Sequence, residues 1–375
     1  MCSLESQHAR GDIGRGTSAA RGAEGLARIV VAGAGAIGAS IAYHLALAGA
    51  DDVVLADVGV IAGGATGKAM GGVRQQFTTE AEVRLAQASV QLFRELGPPL
   101  FEAVGYLFLA TTVGGVAELE QRRLVQADLG VPVEHVDPAC IRGLHVDDVL
   151  SAVICRADGI ADPPAVTHEL VRRAAGLGVE VRERTDALRL PSDMLVIACG
   201  THSRAIGLAL DVDLPVRPLV RQLVDVGPVR DLPLDLPMTV EESGFHFRRV
   251  GSDRLRLAMG ELEPRWDGPE EPDPALTTDW RRRLTARYPP AAGAPVVCAW
   301  AGLYDMTPDA HPVLGFVGGG VYAACGFSGH GFMQSPAVGE AVAAELLGLT
   351  PPFDLSPYRL ERFDEGVLFP ETLVL

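Results

Sequence analysis

Ile29-Val-Val-Ala-Gly-Ala-Gly-Ala-Ile-Gly38 is an apolar run that ends in G-x-G-x-x-G. The run predicts a buried strand. Gly33 makes the tight turn out of it. Gly35 has no Cβ, so a pyrophosphate can approach the backbone, and Gly38 lets the next helix pack closely on the sheet. The spacing predicts that helix over about 36–48, with Gly49 as its stop. Its first residues, Ala36 and Ile37, offer amides and a positive dipole end to phosphate. A second apolar run, Val53-Val-Leu-Ala-Asp57, closes on an acid. Asp57 stands near the roughly 20-residue spacing of a ribose ligand, with Val58 beside it. Strand, glycines, helix, strand and acid occur in order, which marks a dinucleotide site.

At 375 residues the chain suits two domains, or one large α/β domain with an insertion. Its composition is 48% hydrophobic, enough for a sizeable core, and its formal charge is −16. That balance argues against general affinity for nucleic acid or anionic membrane, although one local arginine can still bind a small anion. Residues 29–42 are uncharged, but their glycines and the nearby His44 and Asp51 exclude a membrane span. Residues 1–27 are polar and rich in Gly, Ser and Arg, without an apolar core. They read as a disordered tail rather than a secretory signal. Glu5, Asp12 and Glu24 count against an Arg-rich targeting peptide. The six cysteines show no C-x-x-C and the histidines no H-x-x-x-H. The expectation is reduced thiols, a cytoplasmic location and no metal.

Further along, 63–74 is a glycine-rich loop, the pattern of backbone packed on a ligand. Val83, Leu85, Ala86, Val90 and Phe93 give 79–95 a helical face, stopped at Gly97-Pro98. Residues 106–110 read as a strand and 116–129 as a helix. Asp162 fits an N-cap and Pro163 the first helical position. Short strands follow at 179–181 and 195–198, the latter closing on Cys199-Gly200. Between 215 and 303 prolines cluster and strand-like runs alternate at 244–249 and 254–258, predicting an antiparallel sheet. The last segment returns to βα texture: strand 321–325, loop 326–331, helix 336–347. The fold class is therefore α/β: a Rossmann-like domain (28–102, 155–214 and 304–375) with an inserted antiparallel-sheet substrate domain (103–154 and 215–303).

Four separated motifs carry a resemblance. They are Gly33 to Gly38 with Asp57; the 63–77 loop, ending Gly71-Gly-Val-Arg-Gln-Gln-Phe77; Leu195-Val-Ile-Ala-Cys-Gly-Thr-His-Ser203; and Thr307-Pro-Asp-x-x-Pro-Val-Leu-Gly315 followed by Cys325-Gly-Phe-Ser-Gly-His-Gly-Phe332. Pro218-Leu-Val-Arg-Gln222 fits the crossing into the sheet domain. Over about residues 28–350 the chain resembles the FAD-dependent amine and amino-acid oxidoreductases typified by glycine oxidase, sarcosine oxidase and D-amino-acid oxidase. The resemblance implies FAD rather than NAD, which the first motif alone leaves open, and a sheet roofing the flavin. It implies FAD contacts at Gly33, Gly35, Ala36, Ile37, Gly38, Asp57, Val58, Ala65, Thr66, Gly71, Gly72, Val73, Val181, Cys199, Gly200, Gly302, Gly329, His330, Gly331, Phe332 and Met333.

It also implies Arg74 as the clamp of a substrate anion, with His330, Tyr304 and His246 on the flavin face. A guanidinium holds a carboxylate bidentately, and a neutral imidazole can orient an amine or take a proton. Three departures are informative. Met333 stands where a second carboxylate ligand, a lysine, is expected. Gly302 replaces a cysteine that attaches FAD in some sarcosine oxidases, so FAD is expected to be non-covalent. No lysine near 256–260 matches the one that aids reaction with O2, which leans towards another electron acceptor. The expected reaction is oxidation of a small amine or N-substituted amino acid to an imine by hydride transfer to FAD. A 2-hydroxy-acid or polyol-phosphate dehydrogenase, and a non-catalytic FAD-binding assembly factor, are the alternative readings.

Overall fold

The computed structural model describes residues 27–261 and 263–370. The expected tail lies outside them except for its last residue. The first sheet is centred on Ile29–Ala32, with Val53–Ala56 and Met194–Ile197 parallel on either side. Glu180–Arg182 extends it beyond the former and Val321–Cys325 beyond the latter, both parallel, and Val313–Gly318 closes the edge antiparallel. Its four inner strands are continuous apolar runs because both faces are covered. On one face the helix Ala36–Leu47 lies between Pro163–Gly176 and Gly331–Leu346. That contact is close because it is made by small residues: a Cβ on Gly339 would lie 2.2 Å from Ser40 Oγ.

The second sheet has eight strands. Val296–Met306, Arg217–Val226, Arg254–Ala258, His246–Val250 and Met238–Glu241 follow one another antiparallel. Tyr106–Ala110, Ser151–Cys155 and Val133–His135 continue it, again antiparallel among themselves. The joint between the two groups, Met238–Glu241 on Tyr106–Ala110, is parallel. The expectation of a wholly antiparallel sheet is corrected here. The two groups come from separate excursions of the chain. A parallel joint needs a long crossover, and the intervening strands and helices of the first sheet supply it. A three-stranded ribbon of Gly72–Val73, Gly159–Ala161 and Phe101–Glu102 lies apart from both sheets.

Local signals hold where a cap is written in the sequence. Thr79 accepts the Glu82 amide at the start of Glu80–Leu96, and Asp162 accepts the Ala165 amide. Two helices begin earlier than expected. Val113–Asp128 starts at Thr112, whose side chain caps Gly115. Gly331–Leu346 starts five residues before Pro336, which therefore sits inside it. Proline leaves the carbonyl of Phe332 without its helical donor. Ser335 Oγ takes the place of that donor at 2.9 Å. Among the described residues no helix is long and apolar enough to cross a membrane.

Candidate active site

A cavity of about 850 Å³ opens between the two sheets. Gly33, Gly35, Ala36, Ile37, Asp57, Val58, Ala65, Thr66, Cys199 and Gly200 line it on the side of the first sheet. Gly302, Tyr304, His246, Gly329, Gly331 and Phe332 complete it on the other. The cavity thus joins two stretches nearly 300 residues apart in sequence. Gly33 turns at φ +103°, and a Cβ there would lie 2.3 Å from the carbonyl oxygen of Ala198. Gly38 does not face the cavity; its Cβ would lie 1.8 Å from Gly33 O, so it serves the packing of the turn. The amide of Ala36 donates to Thr66 Oγ1 at 3.1 Å, tying the 63–74 loop to the helix start. Asp57 is fixed by the amides of Ala34 and Gly59, both 2.7 Å from its carboxylate.

The second sheet grips the loop from above. Trp300 Nε1 donates to the carbonyl of Lys68 at 3.2 Å, Arg256 to that of Ala69 at 3.3 Å, and Arg248 to that of Met70. Three successive carbonyls, with no strand partners of their own, are thereby satisfied by side chains of the other layer. Lys68 also pairs with Glu270 at the cavity wall.

Beyond this grip the chain enters the ribbon, which carries Gly72 and Val73 into Arg74. Arg74 is fully buried, stacks 4.0 Å from the Phe77 ring centroid and donates to the carbonyl of Gln76. His330, also buried, meets the other edge of Phe77 at 5.2 Å. Gly71, Gly72, Val73, Arg74, His330 and Met333 thus form a layer behind the cavity wall rather than part of its lining. Val181 is farther off. It pairs with Leu55 at the sheet edge, and the segment 184–188 lines the cavity in its stead.

Asp158 is completely buried. It accepts the Gln75 amide at 3.1 Å, Gln75 Nε2 at 2.8 Å and Gln76 Nε2 at 3.1 Å. It therefore fixes the backbone directly after Arg74. Burial pushes its carboxyl up, and these hydrogen bonds oppose the shift.

His246 is pushed down to about 4, first by burial. Its hydrogen bond to the Gly244 carbonyl works against that shift, and the charges of Arg74 and Arg221 add to it. Nδ1 lies 2.8 Å from this carbonyl, which can only accept. Nδ1 therefore carries the proton, and Nε2 of the neutral ring is a lone pair. Tyr304 is raised by burial, with Arg221 and Arg74 opposing. A Cβ on Gly329 would fall 2.3 Å from the Tyr304 ring, so the tyrosine lies directly on the His330 loop. Asp305 ties the same loop down by accepting the Gly326 amide at 2.8 Å, and burial raises its carboxyl to about 6. Behind the loop, buried Glu82 accepts from His311, Gln334 and Tyr358, joining Glu80–Leu96 to Gly331–Leu346.

Bare backbone at one end, an apolar slot and a polar wall at the other fit an elongated dinucleotide. The family model of the FAD dependent oxidoreductases (DAO) matches residues 28–345, and the chain belongs to that family. Among curated relatives, 4-methylaminobutanoate oxidase (formaldehyde-forming) of Paenarthrobacter nicotinovorans is 27% identical. That alignment covers 90% of this chain but only 45% of the relative, so the chain spans about half of that protein's length. FAD-dependent oxidoreductase domain-containing protein 1 of Bos taurus is 28% identical over 92% of this chain and 87% of its own. Among solved structures, L-proline dehydrogenase from P. horikoshii superposes with a TM-score of 0.84 at 26% identity, covering 92% of this chain and 99% of that one.

Proposed function

We propose that the chain oxidises a small amine or N-substituted amino acid to an imine, which water then hydrolyses. The observation that carries this reading is the single cavity running from the glycine turn to His246 and Tyr304, with buried Arg74 acting on both. FAD, when bound, supplies the hydride acceptor. Gly33, Gly35, Ala36 and Ile37 would admit its diphosphate, Asp57 its ribose, and the first amides of Gly331–Leu346 the ring. The substrate names of 4-methylaminobutanoate oxidase and L-proline dehydrogenase, both nitrogen compounds, support the amine class.

Arg74, buried behind the cavity wall, lends positive charge to the end lined by His246 and Tyr304, which favours a substrate anion there without a direct clamp. His246 presents the Nε2 lone pair to an amine N–H. With its pKa near 4 it orients the nitrogen and does not store a proton at neutral pH. Tyr304, kept neutral, adds a hydroxyl beside it. Ala258 and Met259 line the cavity where the sequence offers no lysine to aid reaction with O2, in keeping with another electron acceptor.

Anaerobic mixing of the FAD-loaded protein with sarcosine, proline and glycine, against 2-hydroxyglutarate and glycerol phosphate, tests the reading. Amines are expected to bleach the flavin absorbance. Bleaching by the hydroxy compounds alone would overturn it.

A further inference from the structure

Glu82, His311 and Phe369 meet behind the His330 loop, in a cluster that the reaction above does not use. Glu82 and His311 are fully buried. His311 Nδ1 lies 2.8 Å from Glu82 Oε1, and Nε2 lies 2.5 Å from the Phe369 carbonyl oxygen. The carbonyl can only accept, so Nε2 carries a proton. Nδ1 then faces a carboxyl oxygen. Without a proton between them, two lone pairs would meet at 2.8 Å in a dry site, so the pair holds one, whichever atom carries it. The Phe369 ring also stacks on the His311 ring, with centroids 4.0 Å apart and planes 14° apart.

One side of the cluster leads to the cavity. Gln334 donates to Glu82, and Ser89 donates to the Gln334 carbonyl at 3.1 Å. Gln334 stands in the first turn of Gly331–Leu346, where Gly331 and Phe332 line the cavity. Thr307 Oγ1 donates to the His311 carbonyl at 2.7 Å, and the Thr307 amide donates to Ser328 Oγ at 3.2 Å, so the His330 loop is reached a second time. The other side leads to the segment 366–370. Arg362, paired bidentately with Asp309 at 2.9 and 3.0 Å, fixes its root, and Gly366 turns it at φ +69°. Val367 and Leu368 then stay 62% and 47% exposed, whereas Phe369 turns inward. Residues 366–370 all lie outside the cavity lining.

We propose that Glu82, His311 and Phe369 form a latch that couples the docking of segment 366–370 to the seating of FAD. Glu82 and His311 are positioning residues for the start of Gly331–Leu346. A helix start held from behind presents its amides at a fixed place. A ligand that fixes the same turn favours the closed latch in return, because such coupling is reciprocal. The inference rests on the FAD site and not on the amine reading, and its test uses no substrate.

Two readouts are taken on the full chain with and without FAD. One is the rate of chymotrypsin cleavage after Leu368, followed by intact mass, which tracks the open population of the segment. The other is hydrogen exchange at 334–338. In wild type FAD is expected to slow the cleavage about fivefold or more, although the cut lies outside the cavity. His311→Phe keeps the stack and removes both ring hydrogen bonds. It is expected to speed cleavage and exchange roughly 10- to 100-fold, the range of a lost charge-assisted bond, and to abolish the FAD effect on cleavage. Phe369→Ala, which spares the buried pair, gives the same pattern at about 3- to 10-fold, the range of a lost ring stack. Glu82→Gln stays within about threefold of wild type, because its NH2 donates to Nδ1 of the neutral ring. Exchange at 29–32, in the centre of the first sheet, is unchanged in all three. If His311→Phe does not accumulate as folded protein, wild type, Phe369→Ala and Glu82→Gln carry the test. Cleavage indifferent to FAD in wild type overturns the proposal. So does wild-type exchange at 334–338 in Phe369→Ala, a Glu82→Gln variant loosened beyond tenfold, or exchange at 29–32 that rises in step with 334–338.

Discussion

Replacing Asp158 separates two ways a buried carboxylate can matter. Its oxygens satisfy three donors: Oδ2 takes the Gln75 amide and Gln76 Nε2, and Oδ1 takes Gln75 Nε2. In Asp158→Asn the remaining oxygen keeps the first two. The new NH2 faces the Gln75 carboxamide, which can turn over and accept from it. Loss of a buried charge further lightens the change, so Asn is expected to cost about 1 kcal/mol or less. Asp158→Ala strands all three donors. At ~1–2 kcal/mol each this amounts to roughly 3–6 kcal/mol, a large share of the ~5–15 kcal/mol that holds a typical domain. The Arg74 backbone is loosened as well, and anion affinity is expected to drop on the order of tenfold. Urea unfolding and a carboxylate titration of the flavin bands measure the two effects. An Ala variant within about 1 kcal/mol of wild type, well short of three stranded donors, would refute the reasoning. So would an Asn variant as damaged as Ala, since the charge and not the acceptors would then matter.

Other outcomes follow from the same geometry. With His246 near 4 in the fold and 6.5 outside it, the unfolded chain takes up a proton first as pH falls. Stability is therefore lost between about pH 6.5 and 4, by about 3 kcal/mol in all, and His246→Gln removes that slope. Above pH 7 this group contributes no pH dependence. Gly33→Ala combines a left-handed φ with a 2.3 Å clash against Ala198 O. It is expected to yield protein that purifies without flavin, checked by the absorbance ratio at 450 and 280 nm. Because position 302 is glycine, acid precipitation is expected to release all the yellow chromophore into the supernatant; colour retained on the pellet would contradict this.

The parts legible in the sequence are those whose physics is local. The glycine turn, the caps at Thr79 and Asp162, and the strands at 106–110, 254–258 and 321–325 depend on neighbours a few residues away. Pro336 misled because proline at the first helical position is the common case, and the rescue by Ser335 depends on a rotamer. Asp158 and Arg221 could not be singled out. One looks like any acid in a turn, and the other is one of three charged groups on an alternating strand. What distinguishes them is register, Arg221 opposite Gly302 and Asp158 beside Gln75, and register is settled by partners 80 or more residues distant. Nothing local marks Glu82 among the polar residues of its helix, because its partners His311 and Tyr358 lie more than 220 residues away.

The parallel seam between Tyr106–Ala110 and Met238–Glu241 bears on how this protein can be taken apart. The roof is stitched from two lengths of chain, and the floor needs Val321–Cys325 beside Met194–Ile197. A single cut between residues 110 and 296 leaves neither layer whole. Proteolytic nicking or a one-break split reporter there would give fragments that each hold orphaned strands of both layers. Reassembly is then possible only if the two pieces associate before either collapses.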